Sequence, residues 1–243
     1  MNSTKRLAKI AGLLYLINGI AAGFSYGAVL KKLYIPGNAD LTAKNVQSHA
    51  SLLRFGIAAD LLQATVLVFI VMVLYLLLKD VNRNVARAMV IFVSIATTIM
   101  CLNDVFQFAA LSVATDASYS TSFGAQGSHS LILLFLDMQH QGFLIAQIFF
   151  GLWLAPLGYL AYKSGKFPKS LGIVLNLATV SYLLDVLLLF LFPSFGAKVN
   201  GFLAVLPIIG EIWMVGYLLF MGFRPSRNSE IPLTVARENA AVR

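Results

Sequence analysis

Between positions 10 and 223 the chain carries six apolar runs, each near the roughly 20 residues a helix needs to cross ~30 Å of hydrocarbon, with short polar connections between them. In lipid every backbone N–H and C=O must find its partner within the spanning segment, and a helix does this. The expected fold is therefore all-α: a polytopic bundle of six transmembrane helices. The runs occupy the N-terminal segment up to Lys31, then about 55–78, 85–111, 130–165, 171–192 and 202–223. Residues 1–223 read as one membrane domain, and the polar stretch 224–243 reads as a disordered cytoplasmic tail.

The first run follows Lys5, Arg6 and Lys9 and is longer than the apolar part of a signal peptide, so it reads as a retained helix. Gly19, Gly23 and Gly27 recur every fourth residue, a spacing that lets another helix approach closely. Asn18, near the middle, reads as an interhelical hydrogen-bonding group. Pro36, Gly37 and Asn38 mark a turn. Thr42 is expected to cap a short helix that runs on toward the second span. Residues 112–130 read as a polar loop without Lys or Arg, and 193–200 as a turn. Pro207 is expected to kink the sixth span just before Glu211, because proline leaves a carbonyl one turn back without its donor.

The fourth run opens with Asp137, His140 and Gln141 on one helical face, continued by Gln147, Gly151, Ala155 and Gly158. Gly151 and Ala155 read as packing positions beneath a polar outer end.

Charge agrees with membrane placement. Apolar residues make up 59% of the chain and charged residues only 12%, about half the usual share of a soluble domain. The net charge of +8 lies in short loops flanking the apolar runs, so it orients the protein in a membrane and gives no sign of nucleic-acid binding. The N-terminus and the second and fourth loops hold three Lys and Arg each and the tail four. The first loop holds four, the third none and the fifth one. The balance predicts cytoplasmic N and C termini, with Lys31 and Lys32 on the less favoured side. Cys101 stands alone, which rules out an intrachain disulfide and a cysteine-cluster metal site.

The residues that invite function are acids without a basic partner. Asp60, Asp104, Asp137 and Asp185 fall toward the outer ends of their helices, and Glu211 lies deeper. No Lys or Arg occurs inside a span to pair with them. An Asp near the bilayer centre costs about 2.5–3.5 kcal/mol even on the lenient insertion scale. Asp104, Asp185 and Glu211 are therefore expected inside the bundle, protonated, hydrated, hydrogen-bonded, or charged against a cation, whereas Asp60 and Asp137, near the interface, read equally as capping or packing groups. The candidate ligand-binding set is Asp104, Gln107, His140, Gln141, Asp185 and Glu211, lining a polar pocket open to the outside.

That pattern favours binding or transport of a small cation or polar solute, with the acid holding the cation when ionised and releasing it when protonated. A larger, lipid-like solute would need the pocket to open sideways between helices. A membrane-embedded metal-dependent hydrolase built on His140 is the second reading. His49 and His129 lie in loops, however, and no paired-histidine spacing is present, so no metal ligand or catalytic residue is assigned. A structural or regulatory subunit docking through the glycine face of the first helix is the third. No cofactor motif occurs. The partners this reading admits are the lipid bilayer, an unidentified small solute or cation, and a second copy of the chain.

Several stretches together resemble DUF4386, a bacterial family of multi-pass membrane proteins of unknown function. They are AGLLYL at Ala11 to Leu16, DLLQATVLVFIVMVLYLLLKDVNRNVA at Asp60 to Ala86, and the acid–histidine–glycine run Asp137, His140 and Gly142 ahead of FFGLW. The most specific is the signature on Gly158, Tyr159, Leu160, Lys163, Ser164, Gly165, Pro168, Leu171 and Gly172. Glu211 and Gly222 fall on the family's closing helix. Ala178 and Thr179 stand where members often carry glycine. The resemblance implies the fold and placement in a bacterial plasma membrane, and brings no activity, substrate or cofactor.

Overall fold

A computed structural model describes residues 3–221; the predicted tail, like Gly222, lies outside the described residues. Six helices are long and apolar enough to span a membrane. They are α1 (Thr4–Leu33), α3 (Ala50–Leu78), α4 (Arg83–Thr115), α5 (Ala117–Ser164), α6 (Lys169–Leu191) and α7 (Pro193–Phe220). A seventh and shorter helix, α2 (Ala39–Ser48), lies in the first connection. The described chain holds no strand. The protein is an all-α, multi-pass membrane bundle.

The helices form a ring in which α1 packs on α3, α3 on α4, α4 on α5, α5 on α6, α6 on α7, and α7 back on α1. Large side chains on the outside, such as Phe202 at 82% and Phe220 at 87% exposure, face the level where lipid would lie. In a soluble protein they would form an untenable apolar surface. Gly12 of α1 sits against Leu218 and Leu219 of α7, so the two chain ends share one side of the bundle, hereafter the inner side. Which side of the membrane that is rests on the charge argument alone.

Two apolar cores stack along the bundle. The inner one gathers Leu74 and Leu78 of α3, Met89 of α4, Leu157 of α5, Leu171 of α6 and Leu218 of α7. The outer one gathers Leu33 of α1, Val46 of α2, Ile57 of α3, Leu111 of α4, and Ile132 and Leu136 of α5. The buried polar side chains lie largely in the layer between them.

Several connections fold differently from expectation. The predicted polar loop 112–130 is helical apart from Asp116, and α5 bends at Gly124, whose φ of 70° and ψ of 166° suit glycine. Its small polar residues face water above the bundle, where a helix needs no apolar stripe. The predicted turn 193–200 is the first half of α7, begun by Pro193, whose missing N–H is harmless in a first helical turn. Asn38 caps α2 by accepting the Leu41 N–H at 3.0 Å. Thr42, the expected cap, instead binds the Ile35 backbone at 3.1 Å. The chain breaks at His49 (φ −129°, ψ 36°), so α2 does not continue into α3.

The break in α7 follows the proline logic. Helical geometry divides at Ala204, between Pro193–Leu203 and Val205–Gly216. Pro207 cannot donate to the Leu203 carbonyl one turn earlier. Ser181 of α6 supplies the missing donor, its hydroxyl reaching Leu203 O at 2.6 Å.

The Lys-Ser-Gly segment is a helix-ending device. Gly165, at φ 64°, closes α5 in the left-handed conformation. Lys166 Nζ then donates to Leu77 O at 2.9 Å, satisfying one of the free carbonyls at the end of α3. Tyr217 of α7 donates to Lys166 O at 2.9 Å and ties the same corner to the last span.

On the outer side Tyr34, just past α1, donates to Asp137 of α5 at 2.6 Å. Burial, then the Asp137 hydrogen bond, holds the phenol well above its ordinary pKa, so it remains a donor through the physiological range. Removing the hydroxyl with Tyr34→Phe is expected to lower stability by about 1 kcal/mol, measured by thermal unfolding in detergent. An unchanged midpoint would show that water replaces the bond fully.

Candidate functional site

The ring encloses a cavity of about 510 Å³ in the polar layer, lined from five helices. Tyr15, Asn18 and Tyr26 come from α1, Gln63 from α3, Phe143, Gln147, Phe150 and Trp153 from α5, Tyr182 and Asp185 from α6, and Asn200 and Glu211 from α7. The helices bring these groups together by simple periodicity. Tyr15, Asn18, Ala22 and Tyr26 are spaced three and four apart on α1, and so are Phe143, Gln147 and Phe150 on α5. The irregular α7 turns Glu211 inward four residues after Pro207.

The wall is aromatic and the floor acidic. Tyr15 and Trp153 approach with ring centroids 6.0 Å apart, and Tyr26 and Phe143 at 4.3 Å. Glu211 lies beside Tyr15 and Tyr182. Asp185 is 4% exposed and accepts one hydrogen bond, from Asn200 Nδ2 at 2.8 Å. Its other oxygen has no partner, and neither do Asn18 Oδ1 and Gln147 Oε1. Buried polar atoms are rarely left so, and a cluster of them around a cavity marks where water or a ligand must supply bonds. Among the described residues, none that lines the cavity is Lys or Arg.

A second cluster sits behind Tyr26. Gln107 of α4 donates through one amide nitrogen to Asp60 Oδ2 at 2.8 Å and to Asp104 Oδ1 at 3.1 Å. Ser25 lies beside Asp60, and Gln139 donates to Tyr26 Oη at 3.4 Å. Asp60 and Asp104 are 2% and 3% exposed. Two buried negative charges without a cation would cost several kcal/mol each, so this pair must hold a proton or a cation. Gln107→Leu would strip the shared donor from both carboxyls and is expected to destabilise the protein by about 2–5 kcal/mol. Adding Asp104→Asn should recover part of that loss in the same unfolding assay. If Gln107→Leu is neutral, the amide does not hold the pair.

The sequence-derived candidates thus separate into three places. Asp185 and Glu211 line the cavity. Asp104 and Gln107 belong to the Asp60 cluster. His140 and Gln141 lie on the exposed side of α5, where His140 faces Tyr34 with ring centroids 5.9 Å apart. The buried polar group at that level is Gln139. The upper part of α5 packs on α2 and α4, which turns Ser128, Ile132, Leu136 and Gln139 inward and leaves His140 outside. Lower down, Gly151 rests against Tyr182, and a Cβ there would come within 2.9 Å of the tyrosine Cβ; Ala155 is half-buried. Among the described residues, Gly19, Gly23 and Gly27 have no atom within 4 Å of where a side chain would begin, so no described helix packs on them. Among the described residues no three His, Cys, Asp or Glu form a group able to hold a metal ion.

The residues that sequence reasoning did not assign to a pocket are the aromatics and amides of α1 and α5. Their i, i+3, i+4 spacing was visible, but the same spacing serves an ordinary packed face.

Residues 10–222 match the family described as Domain of unknown function (DUF4386). An uncharacterized protein from Archaeoglobus fulgidus is 26% identical over 148 residues, which covers 61% of this chain and 74% of that protein. No solved structure matches the chain.

Proposed function

We propose, for a chain that belongs to the DUF4386 family and is a multi-pass membrane protein of that kind, a role in binding or transporting a small cation or polar solute in its central cavity. The reading rests on one observation above all: Asp185 and Glu211 share a cavity within the bundle whose lining, among the described residues, includes no basic residue. A cation entering there meets two carboxyl groups, four side-chain amides and aromatic faces. Carboxyls supply charge, amide oxygens supply further ligands, and rings attract ammonium groups through their negative faces.

Exchange follows from the same groups. An ionised Asp185 or Glu211 holds the cation, and protonation of that carboxyl removes the attraction and releases it. The Asp60–Asp104 pair, separated from the cavity by Tyr26, is a second store for a proton or cation in the same layer. The charge pattern supports cytoplasmic termini in the cell membrane, which would place Asp185, near the outer end of α6, toward the outer leaflet and Glu211 deeper.

The experiment is a binding titration of the purified protein with tetramethylammonium, followed by the fluorescence of Trp153 in the cavity wall against a Trp213→Phe background. Saturable quenching in this background, absent from the single variant Trp153→Phe in which Trp213 still emits, supports the reading. A flat response up to about 100 mM, together with no thermal stabilisation, removes it.

A further inference from the structure

The cavity has a side door at membrane depth. Its α1 lining includes Gly19, Ala22 and Gly23, and both glycines are exposed, with no described atom within 4 Å of where a Cβ would stand. On the facing α7, Ile208 is likewise both cavity-lining and 55% exposed. Counted from Lys9, the last charged residue before the apolar run, Gly19 and Gly23 lie about 15–21 Å along α1 at ~1.5 Å per residue, inside a hydrocarbon layer of ~30 Å. The opening between α1 and α7 therefore faces the acyl chains.

The way the two helices pack explains the gap. The inner part of α1, up to Ala22, meets α7 from Val205 onward, while Pro193–Leu203 leans chiefly on α6. The outer part of α1 continues as a π-helix, Gly23–Leu30, packed on α3. The two walls part above Gly19, and the glycines stop either side chain from closing the space. Behind the opening stand buried polar atoms without partners, Asn18 Oδ1 and Asp185 Oδ1, in side chains only 7% and 4% exposed.

From this geometry we infer that the cavity takes amphipathic cations from within the bilayer, the ammonium head reaching Asp185 and Glu211 and the apolar tail leaving between α1 and α7 over Gly19 and Gly23. This rests on the cation-binding reading above and adds the ligand class and its route. The chemistry is matched at both ends. A charged head alone has no favourable path through hydrocarbon, whereas an amphiphile already lies with its tail there. The aromatic wall then suits a weakly hydrated ammonium.

The test uses the full-length protein in lipid nanodiscs with two probes that share a head group, tetramethylammonium and octyltrimethylammonium, and measures Kd for each. Wild type is expected to bind the octyl probe at least tenfold more tightly after correction for its partition into lipid. The Gly19→Leu/Gly23→Leu variant fills the opening without meeting any neighbour at its Cβ positions. It should lose that preference, the two probes then binding with equal Kd. Gly27→Leu, on the same stripe but outside the cavity lining, should change neither.

Equal affinities for the two probes in wild type would overturn the amphiphile inference while leaving the cation site standing. An octyl preference that survives the double glycine variant would overturn the side route. If neither probe binds wild type, the cation-binding reading fails and this inference falls with it.

Discussion

Replacing Gly172 with leucine is expected to force α5 and α6 apart and cost about 3 kcal/mol or more. Gly158 and Gly172 let these helices touch backbone to backbone. A Cβ on Gly172 would lie 2.8 Å from the Gly158 carbonyl and from the backbone nitrogen and Cβ of Tyr162. None of those is the loose end of a side chain, so the strain cannot be relieved by a rotamer change. Dispersion and close packing hold helices together in lipid, where apolar burial offers little driving force. Separation at this point therefore removes the attraction over the whole interface. For a protein of this size the thermal midpoint should drop by roughly 6–12 °C. Gly19→Leu is the control, since its Cβ meets nothing and it should leave the midpoint near wild type. Equal midpoints for the two variants would mean that the α5–α6 contact is not close-packed.

Neutralising both cavity acids, with Asp185→Asn and Glu211→Gln together, is expected to abolish stabilisation by tetramethylammonium. At 100 times its Kd a ligand raises the stability of its protein by about 2.7 kcal/mol, and the double variant should show none of this. Both replacements keep shape and hydrogen-bonding capacity; the amide oxygen introduced at position 185 can still accept from Asn200. The unliganded variant should be at least as stable as wild type, because an amide in this layer carries no charge to desolvate. The two results together separate a binding role from a structural one. Loss of the ligand effect with unchanged folding supports the site, and a ligand effect that persists in the double variant refutes it.

Architecture was legible in the sequence because lipid imposes so simple a rule. Length and hydropathy located six spans, and Pro207 located the irregular turn of α7. What could not be read was rotation about each helix axis. His140 and Gln139 are neighbours, and which one turns inward depends on α5 packing against α2 and α4 at that level. The glycine stripe of α1 shows the same limit: every-fourth spacing suits close helix packing, yet here it borders open space, because α7 diverges from α1 where Pro207 breaks its helix. Asp60 sits near the start of a long apolar run, where an interfacial role was as reasonable as burial. Its bond to Gln107 spans two helices and leaves no trace in local pattern.

The central claim is that carboxyl groups without a basic partner line a cavity reachable from within the membrane. It is tested most directly by labelling protein in nanodiscs with dicyclohexylcarbodiimide, a lipid-soluble carboxyl reagent, and locating the adducts by peptide mass spectrometry. The account predicts adducts on Glu211 and Asp185, reduced by octyltrimethylammonium and absent from the double variant. Labelling confined to the loop acids Asp40, Asp80 and Asp116, with Glu211 and Asp185 untouched, would contradict it.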